Sequence, residues 1–383
     1  KEESCKFFLK LFFLTMKRLN LGDNYKTFIM KKTLLTLSLF ASFLSFSQVL
    51  QNDNFNSFVV GNIGTAFSGA STGQGGYYTE ATNGAIPTTS SNAANSNFQI
   101  VSSGNGSTNG LSIVGPDGDK GSRFMWKDGL LTAWNNRTAG NNIIEVEVDI
   151  NPGTRGASRN GFGLRIYNSD YTRTLAGFQV NSNTGELSLI AYSTPGANPV
   201  GNYTYSLAAA PGVQLPQNTW SRVGISYNFT TGEVLINSTA ITGGPLGVNG
   251  SSATTNPVEV DFVVTSGSVT TPSVINNTAS ATMLFDNLVT RASNTNTLLS
   301  STQFVNDDNN LTIYPNPTTS ILNISNNNNL NIKNISIVDI NGRVVKNQED
   351  SLTQINVSDL NAGVYFVTIE AAEGKTTKKF IKQ

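Results

Sequence analysis

Short runs of alternating apolar and polar residues fill most of the chain. The clearest is Ile143 to Ile150, where Val146, Val148 and Ile150 share one face and Glu145, Glu147 and Asp149 the other. That period of two is the signature of a β-strand. Gly161 to Tyr167 alternates as well, and Val258 to Val264 and Thr282 to Val289 read as further strands. Phe178–Val180 and Glu186–Ile190, joined by Asn183-Thr184-Gly185, predict a hairpin. So do Arg222–Tyr227 and Glu233–Ile236 around Thr230-Thr231-Gly232. No helical period of useful length interrupts them. Beyond a polar stretch the pattern resumes in shorter runs, at Ile321–Ile324, Ile335–Ile340, Val364–Ile369 and Lys378–Ile381. Their spacing predicts a small antiparallel sandwich. The fold class expected is all-β: a jelly-roll sandwich over residues 48–291, a polar linker over 292–310, and a small immunoglobulin-like sandwich over 311–383.

Composition agrees with the pattern and narrows the chemistry. Only 13% of the 383 residues are charged, about half the usual share. Gly, Asn, Ser and Thr, which favour turns over helix interiors, take their place. The chain has no histidine, and its single cysteine is Cys5. A Ser-His-Asp triad is excluded, and a body lacking Cys5 has no thiol nucleophile, disulfide or zinc site of the usual ligands. Calcium, which takes oxygen ligands, stays open. The formal charge is zero, but residues 1–47 hold eight of the 25 basic residues and three of the 25 acidic ones. The rest is therefore net acidic by five, with no basic stripe, so a nucleic-acid partner is not expected.

The N-terminal excess of positive charge has its own reading. Met30-Lys31-Lys32 precedes the apolar run Leu34–Leu44 and then Ser45-Phe46-Ser47-Gln48. This is the basic, apolar and small-residue order of a signal peptide, with cleavage expected between Ser47 and Gln48. The apolar run falls well short of the ~20 residues that span a bilayer. Residues 30–47 are thus expected to engage the Sec machinery, and residues 1–29 read as translation upstream of the true start.

Residues of the last segment carry a resemblance. Tyr314-Pro315-Asn316-Pro317, Leu322-Asn323-Ile324, Asp339-Ile340-Asn341-Gly342-Arg343, Leu360-Asn361-Ala362-Gly363-Val364-Tyr365 and the closing Lys379-Phe380-Ile381-Lys382 occur in order. Together they resemble the type A C-terminal sorting domain of the type IX secretion system. The resemblance implies Sec export, recognition by an outer-membrane translocon, removal of the domain by its sortase, and a cargo released or held at the cell surface. Taken by themselves, the prolines fix φ and end strands, and Gly342 and Gly363 permit turns. Asp350-Ser351-Leu352 resembles a bacterial O-glycosylation sequon.

In the body, Asn218–Tyr227 with Thr231–Val234, and the late Phe285-Asp286-Asn287-Leu288, resemble strands of laminin-G-like and concanavalin-like jelly rolls. The resemblance implies carbohydrate binding or adhesion. Asp128-Gly129 suits a two-residue hairpin turn. In that register Phe124 and Trp126 fall on the core face, while Arg123 and Trp134 share the solvent face. A flat aromatic beside a guanidinium suits a sugar ring. Tyr203 and Tyr205 lie on one side of another strand, and ordinary cross-strand packing accounts equally for both pairs. Candidate calcium ligands are Asp117, Asp119 and Asp286, each also readable as a plain turn or strand end. Glu147-Val148-Asp149 resembles the start of the active strand of laminarinase-type glycosidases. The second glutamate of that motif is missing, however, because Asn151-Pro152-Gly153 stand there, and a solvated acidic face is the simpler reading. The body is expected not to be an enzyme. A glycan-binding or adhesive module, a structural surface protein and a carbohydrate-active enzyme stay open as alternatives.

Overall fold

A computed structural model describes residues 47–85, 90–106, 108–269, 274–299, 311–326, 332–340, 343–349, 352–371 and 374–383. Most of the signal segment, residues 1–29, Gly342 and Asp350-Ser351 lie outside them. The body is two antiparallel sheets face to face. One sheet has nine strands, eight of them in the spatial order Leu246–Asn249, Glu233–Ser238, Ser221–Asn228, Ile143–Asn151, Thr282–Ser293, Gly110–Val114, Phe98–Val101 and Gly61–Asn62. Gln48–Asp53 adds to Thr282–Ser293 as the ninth. The other sheet runs Gly201–Ser206, Glu186–Ser193, Thr174–Asn181, Gly161–Tyr167, Glu259–Thr265, Ser122–Lys127, Tyr77–Thr82, with Val213–Gln214 beside Glu186–Ser193. Both hairpins expected from the turn residues are present. So is the sided alternation of Ile143–Asn151, whose Val146, Val148 and Ile150 enter the core.

One apolar core lies between the sheets. Phe262 of the second meets Phe285 of the first edge-on, ring centres 5.2 Å apart. Alternation puts every second residue of both strands there, and each buried aromatic is worth about 3–5 kcal/mol against its truncation to alanine.

Three expectations are corrected. Asp128-Gly129 does not turn a hairpin: Gly129, at φ +106°, caps the helix Leu130–Asn135, a backbone region that glycine enters at little cost. Trp220, expected in the core from the resemblance to jelly-roll strands, is half-buried and lies outside the core cluster. The last body strand runs on to Ser293, past the expected linker start at 292, with Ala292 and Ser293 fully covered. Residues 294–299 then fold back over the sheet. Leu298 and Leu299 reach to 2.9 and 3.0 Å from where a Cβ on Gly224 would stand, so a larger residue there would have to displace them.

The C-terminal domain has its own core. Leu311–Tyr314, Ile321–Asn326 and Gln354–Asn356 form a three-stranded sheet, and Val344–Gln348, Ile332–Asp339, Gly363–Ala371 and Gly374–Lys382 a four-stranded one. Leu322, Ile335, Val367 and Phe380 are among the residues they enclose. Tyr365 stacks on Phe380 and donates its hydroxyl to the Asn361 carbonyl at 3.0 Å. In Tyr314-Pro315-Asn316-Pro317 both X–Pro bonds are cis. Asn316 donates to the Lys379 carbonyl and accepts from Ile381 N–H, joining this motif to the last strand. Arg343 pairs with Asp339 at 3.2 Å on the surface, and Lys382 is buried.

Candidate functional site

The second sheet's outer face carries a groove. Tyr77–Thr82, Ser122–Lys127, Glu259–Thr265 and Gly161–Tyr167 include its central neighbours. Arg123 and Met125 point inward, so Phe124 and Trp126 point out. Tyr78 lies opposite Trp126 and Glu80 opposite Phe124. The Tyr78 and Trp126 rings stack with centres 5.4 Å apart and planes 12° apart. Asp261 is opposite Arg165 and Glu259 opposite Tyr167. Tyr171, held at φ +58° in the following turn and 56% exposed, meets Tyr167 edge-on at 6.1 Å. Glu80, Phe124, Trp126, Tyr167, Tyr171, Glu259 and Asp261 enclose about 430 Å³.

The two acids on the groove floor are 6% and 4% exposed. Burial pushes Glu259 up to about 7; contact with Asp261 pulls it down, the Asp128 charge adds to the rise, and Tyr171 opposes it. Burial, and then the charge of Glu259, holds Asp261 well above the ordinary carboxylate range, against Arg165. Oδ1 of Asp261 is buried and receives no hydrogen bond. Leaving such an acceptor unpaired costs about 1–3 kcal/mol, a cost an incoming donor removes.

The first sheet's outer face is equally acidic and is arranged differently. Glu145, Glu147 and Asp149 are buried, which corrects the expected solvated face. Arg222 bonds Glu147 at 3.0 Å and Asp149 at 2.9 Å, and Arg291 bonds Glu145 at 3.3 Å and also Glu147. Thr297 donates to Glu145, and the Leu299 N–H donates to Glu147 at 3.2 Å. Asn105 and Asn287 complete Asp149. This is a closed ladder of ion pairs. The carboxylates of the glycosidase-like Glu147-Val148-Asp149 are thus all engaged by donors of the chain itself.

The residues singled out from sequence are dispersed. Trp134 lies on the helix, fully buried, with the Arg137 guanidinium 3.7 Å over its ring and its Nε1–H donating to Asn256. Arg123 is buried and donates to the carbonyls of Thr82, Ser122 and Val114 and to Asn92. Its burial lowers its pKa to about 10, with Asp117 opposing. Neither offers a solvent face. Tyr203 and Tyr205 do share a side, opposite Ala191 and Leu189 of the core face. Tyr205 packs on the core and bonds Ser193, while Tyr203 donates to the Pro199 carbonyl. Asp117 accepts from Ser91, and Asp119 lies in the same turn region. Asp286 is buried beside Asp149, accepts from Asn105, Thr108 and Asn287, and rises to about 7 by burial. Among the described residues no group of three or more His, Cys, Asp or Glu is placed to hold a metal ion. Gln48, at the expected cleavage point, opens the first strand and accepts from Thr138. Sequence reasoning missed Trp126, Tyr78, Tyr171, Glu259 and Asp261. The one signal present was the acid–apolar–acid pattern of Glu259-Val260-Asp261.

Residues 312–383 match the family model of the secretion system C-terminal sorting domain. The C-terminal domain is therefore a sorting domain of the type IX secretion system, and the protein's destination is the cell surface or the medium. No curated protein matches the chain in sequence. Solved structures similar to it include a sialidase (8% identity, TM-score 0.36, covering 63% of this chain and 18% of the sialidase). Another is the CBM2 module of the evolved Dit of Lactobacillus casei BL23 phage J-1 (12% identity, TM-score 0.34, 66% of this chain and 98% of the module). A third is the alginate lyase Aly36B (15% identity, TM-score 0.35, 64% of this chain and 96% of the lyase). The chain spans less than a fifth of the sialidase's length. At these TM-scores the likenesses assign no ligand.

Proposed function

We propose that this is a non-catalytic glycan-binding protein of the cell surface, holding sugar in the groove beside Trp126. Export begins at residues 30–47 through the Sec machinery and ends at the type IX translocon. The observation that carries the reading is an outward indole and two tyrosines beside buried carboxyls, one oxygen of which lacks a donor. Sugar C–H faces stack on aromatic rings, and sugar hydroxyls supply donors. Glu259 and Asp261 invite a hydrolytic alternative. A glycosidase's two carboxyls flank the scissile bond, whereas Glu259 and Asp261 stand two residues apart on one face of a single strand. That placement favours binding without cleavage.

A glycan array probed with the full secreted chain, with and without calcium, tests the reading. Binding that Trp126→Ala abolishes, with no reducing ends released, supports it. A folded protein that binds no glycan refutes it and leaves a structural surface role.

A further inference from the structure

We infer that the groove selects sugars bearing a protonated amine, with the ammonium seated on Glu259 and Asp261 and the ring against Trp126. The inference rests on the glycan-binding reading and adds the ligand's charge class. Three carboxyls line the groove, from Glu80, Glu259 and Asp261. The facing cation is Arg165, across from Asp261, and Tyr167, whose hydroxyl takes a long 3.4 Å contact from it, holds part of its reach. Asp128 adds negative charge at the rim. An acidic cluster alone would say little. The second observation is Asp261 itself, which lines the groove and is 4% exposed, with its Oδ1 buried and unpartnered.

The contrast with the other sheet is informative. There every buried carboxylate meets a guanidinium or backbone donor of the chain itself. Here Tyr171 meets Glu259, but Oδ1 of Asp261 meets no donor of the chain. An ammonium brings three donors and a positive charge, which answers both deficits. A neutral hydroxyl answers one. A uronate or sialate brings a like charge into a buried acidic site, which opposes binding. Burial raises both carboxyls, and seating a cation on them weakens their hold on protons, so binding near neutral pH releases protons.

The test uses the full chain and three hexamers of one linkage geometry: β-1,4-glucosamine, β-1,4-glucose and β-1,4-mannuronate. Glucosamine and glucose differ at C2 only, ammonium against hydroxyl. The expected result is glucosamine bound at least about tenfold tighter than glucose, the margin of a charge-assisted hydrogen bond over a neutral one. Added salt narrows that margin, and mannuronate is not bound. Calorimetry in two buffers of different ionisation heat is expected to show proton release for glucosamine alone. In E259Q/D261N the glucosamine-to-glucose affinity ratio falls to about one and the proton release disappears. E80Q, on a less buried side chain, lowers the preference by less. Equal binding of glucosamine and glucose overturns the inference and leaves the glycan reading standing. So does tightest binding of mannuronate. No binding of any hexamer by folded protein overturns both.

Discussion

The tripeptide Glu-Val-Asp occurs twice in the body, at 147–149 and at 259–261, each time in the middle of a sheet with the valine in the core. The outcomes are opposite. Across from Asp149 stands Arg222, and across from Glu145 stands Arg291, so the first copy belongs to a closed ladder. Across from Glu259 stands Tyr167, and Arg165 faces Asp261, so the second copy has fewer cations beside it and keeps an unpaired oxygen. Cross-strand neighbours decide whether the acids of a strand are closed off by the chain's own cations or left short of them.

The largest effects test the scaffold. Arg291→Met leaves Glu145 buried without its cation and Glu147 with Arg222 alone, and should cost about 3–5 kcal/mol in denaturant unfolding of the body. A loss as small as that of an exposed pair would mean that water reaches the ladder. Trp134→Ala removes a buried indole and the ring under Arg137. Chemical melts should show about 3–5 kcal/mol lost, whereas Trp126→Ala on the half-buried groove face should lose binding while the melt stays near wild type. Equal destabilisation by the two would make Trp126 a packing residue.

A third experiment reads the groove through pH. The folded pKa of Glu259, about 7, lies above its ordinary 4.5. The folded state therefore holds the proton more tightly, and this stabilisation is complete below 4.5 and disappears as pH rises through about 7. Asp286 acts in the same direction. Melting temperature should fall across this window, the fall should shrink in Glu259→Gln, and it should shrink further in Glu259→Gln/Asp286→Asn. A wild-type slope preserved in the double variant would place the titration elsewhere. The smallest effect belongs to Lys346, which meets Asp359 at 2.7 Å on the sorting domain's surface. Lys346→Ala should leave the melt unchanged, since exposed pairs contribute little.

Strand positions and hairpins were legible because alternation and turn glycines are local signals. Facing was legible at Ile143–Asn151, where apolar and charged residues alternate strictly. At Phe124-Met125-Trp126 three apolar residues run together, so the pattern carries no parity, and an assumed turn at Gly129 put Trp126 inward and Arg123 outward. The burial of Glu145, Glu147 and Asp149 could not be seen for another reason. The residues that cover them, Arg222, Arg291 and Thr297, arrive from more than 70 residues away. The sorting domain was legible nearly whole, because its motifs are contiguous and each sits at a turn or strand end.

The segment 294–299 bears on how this body could be transplanted. A boundary drawn from secondary structure alone would end the excised piece at Ser293. Such a cut strips Glu145 of both Thr297 donors and Glu147 of the Leu299 N–H, and uncovers Gly224. A graft onto another carrier should retain the chain through Leu299, and any heterologous tether belongs after it.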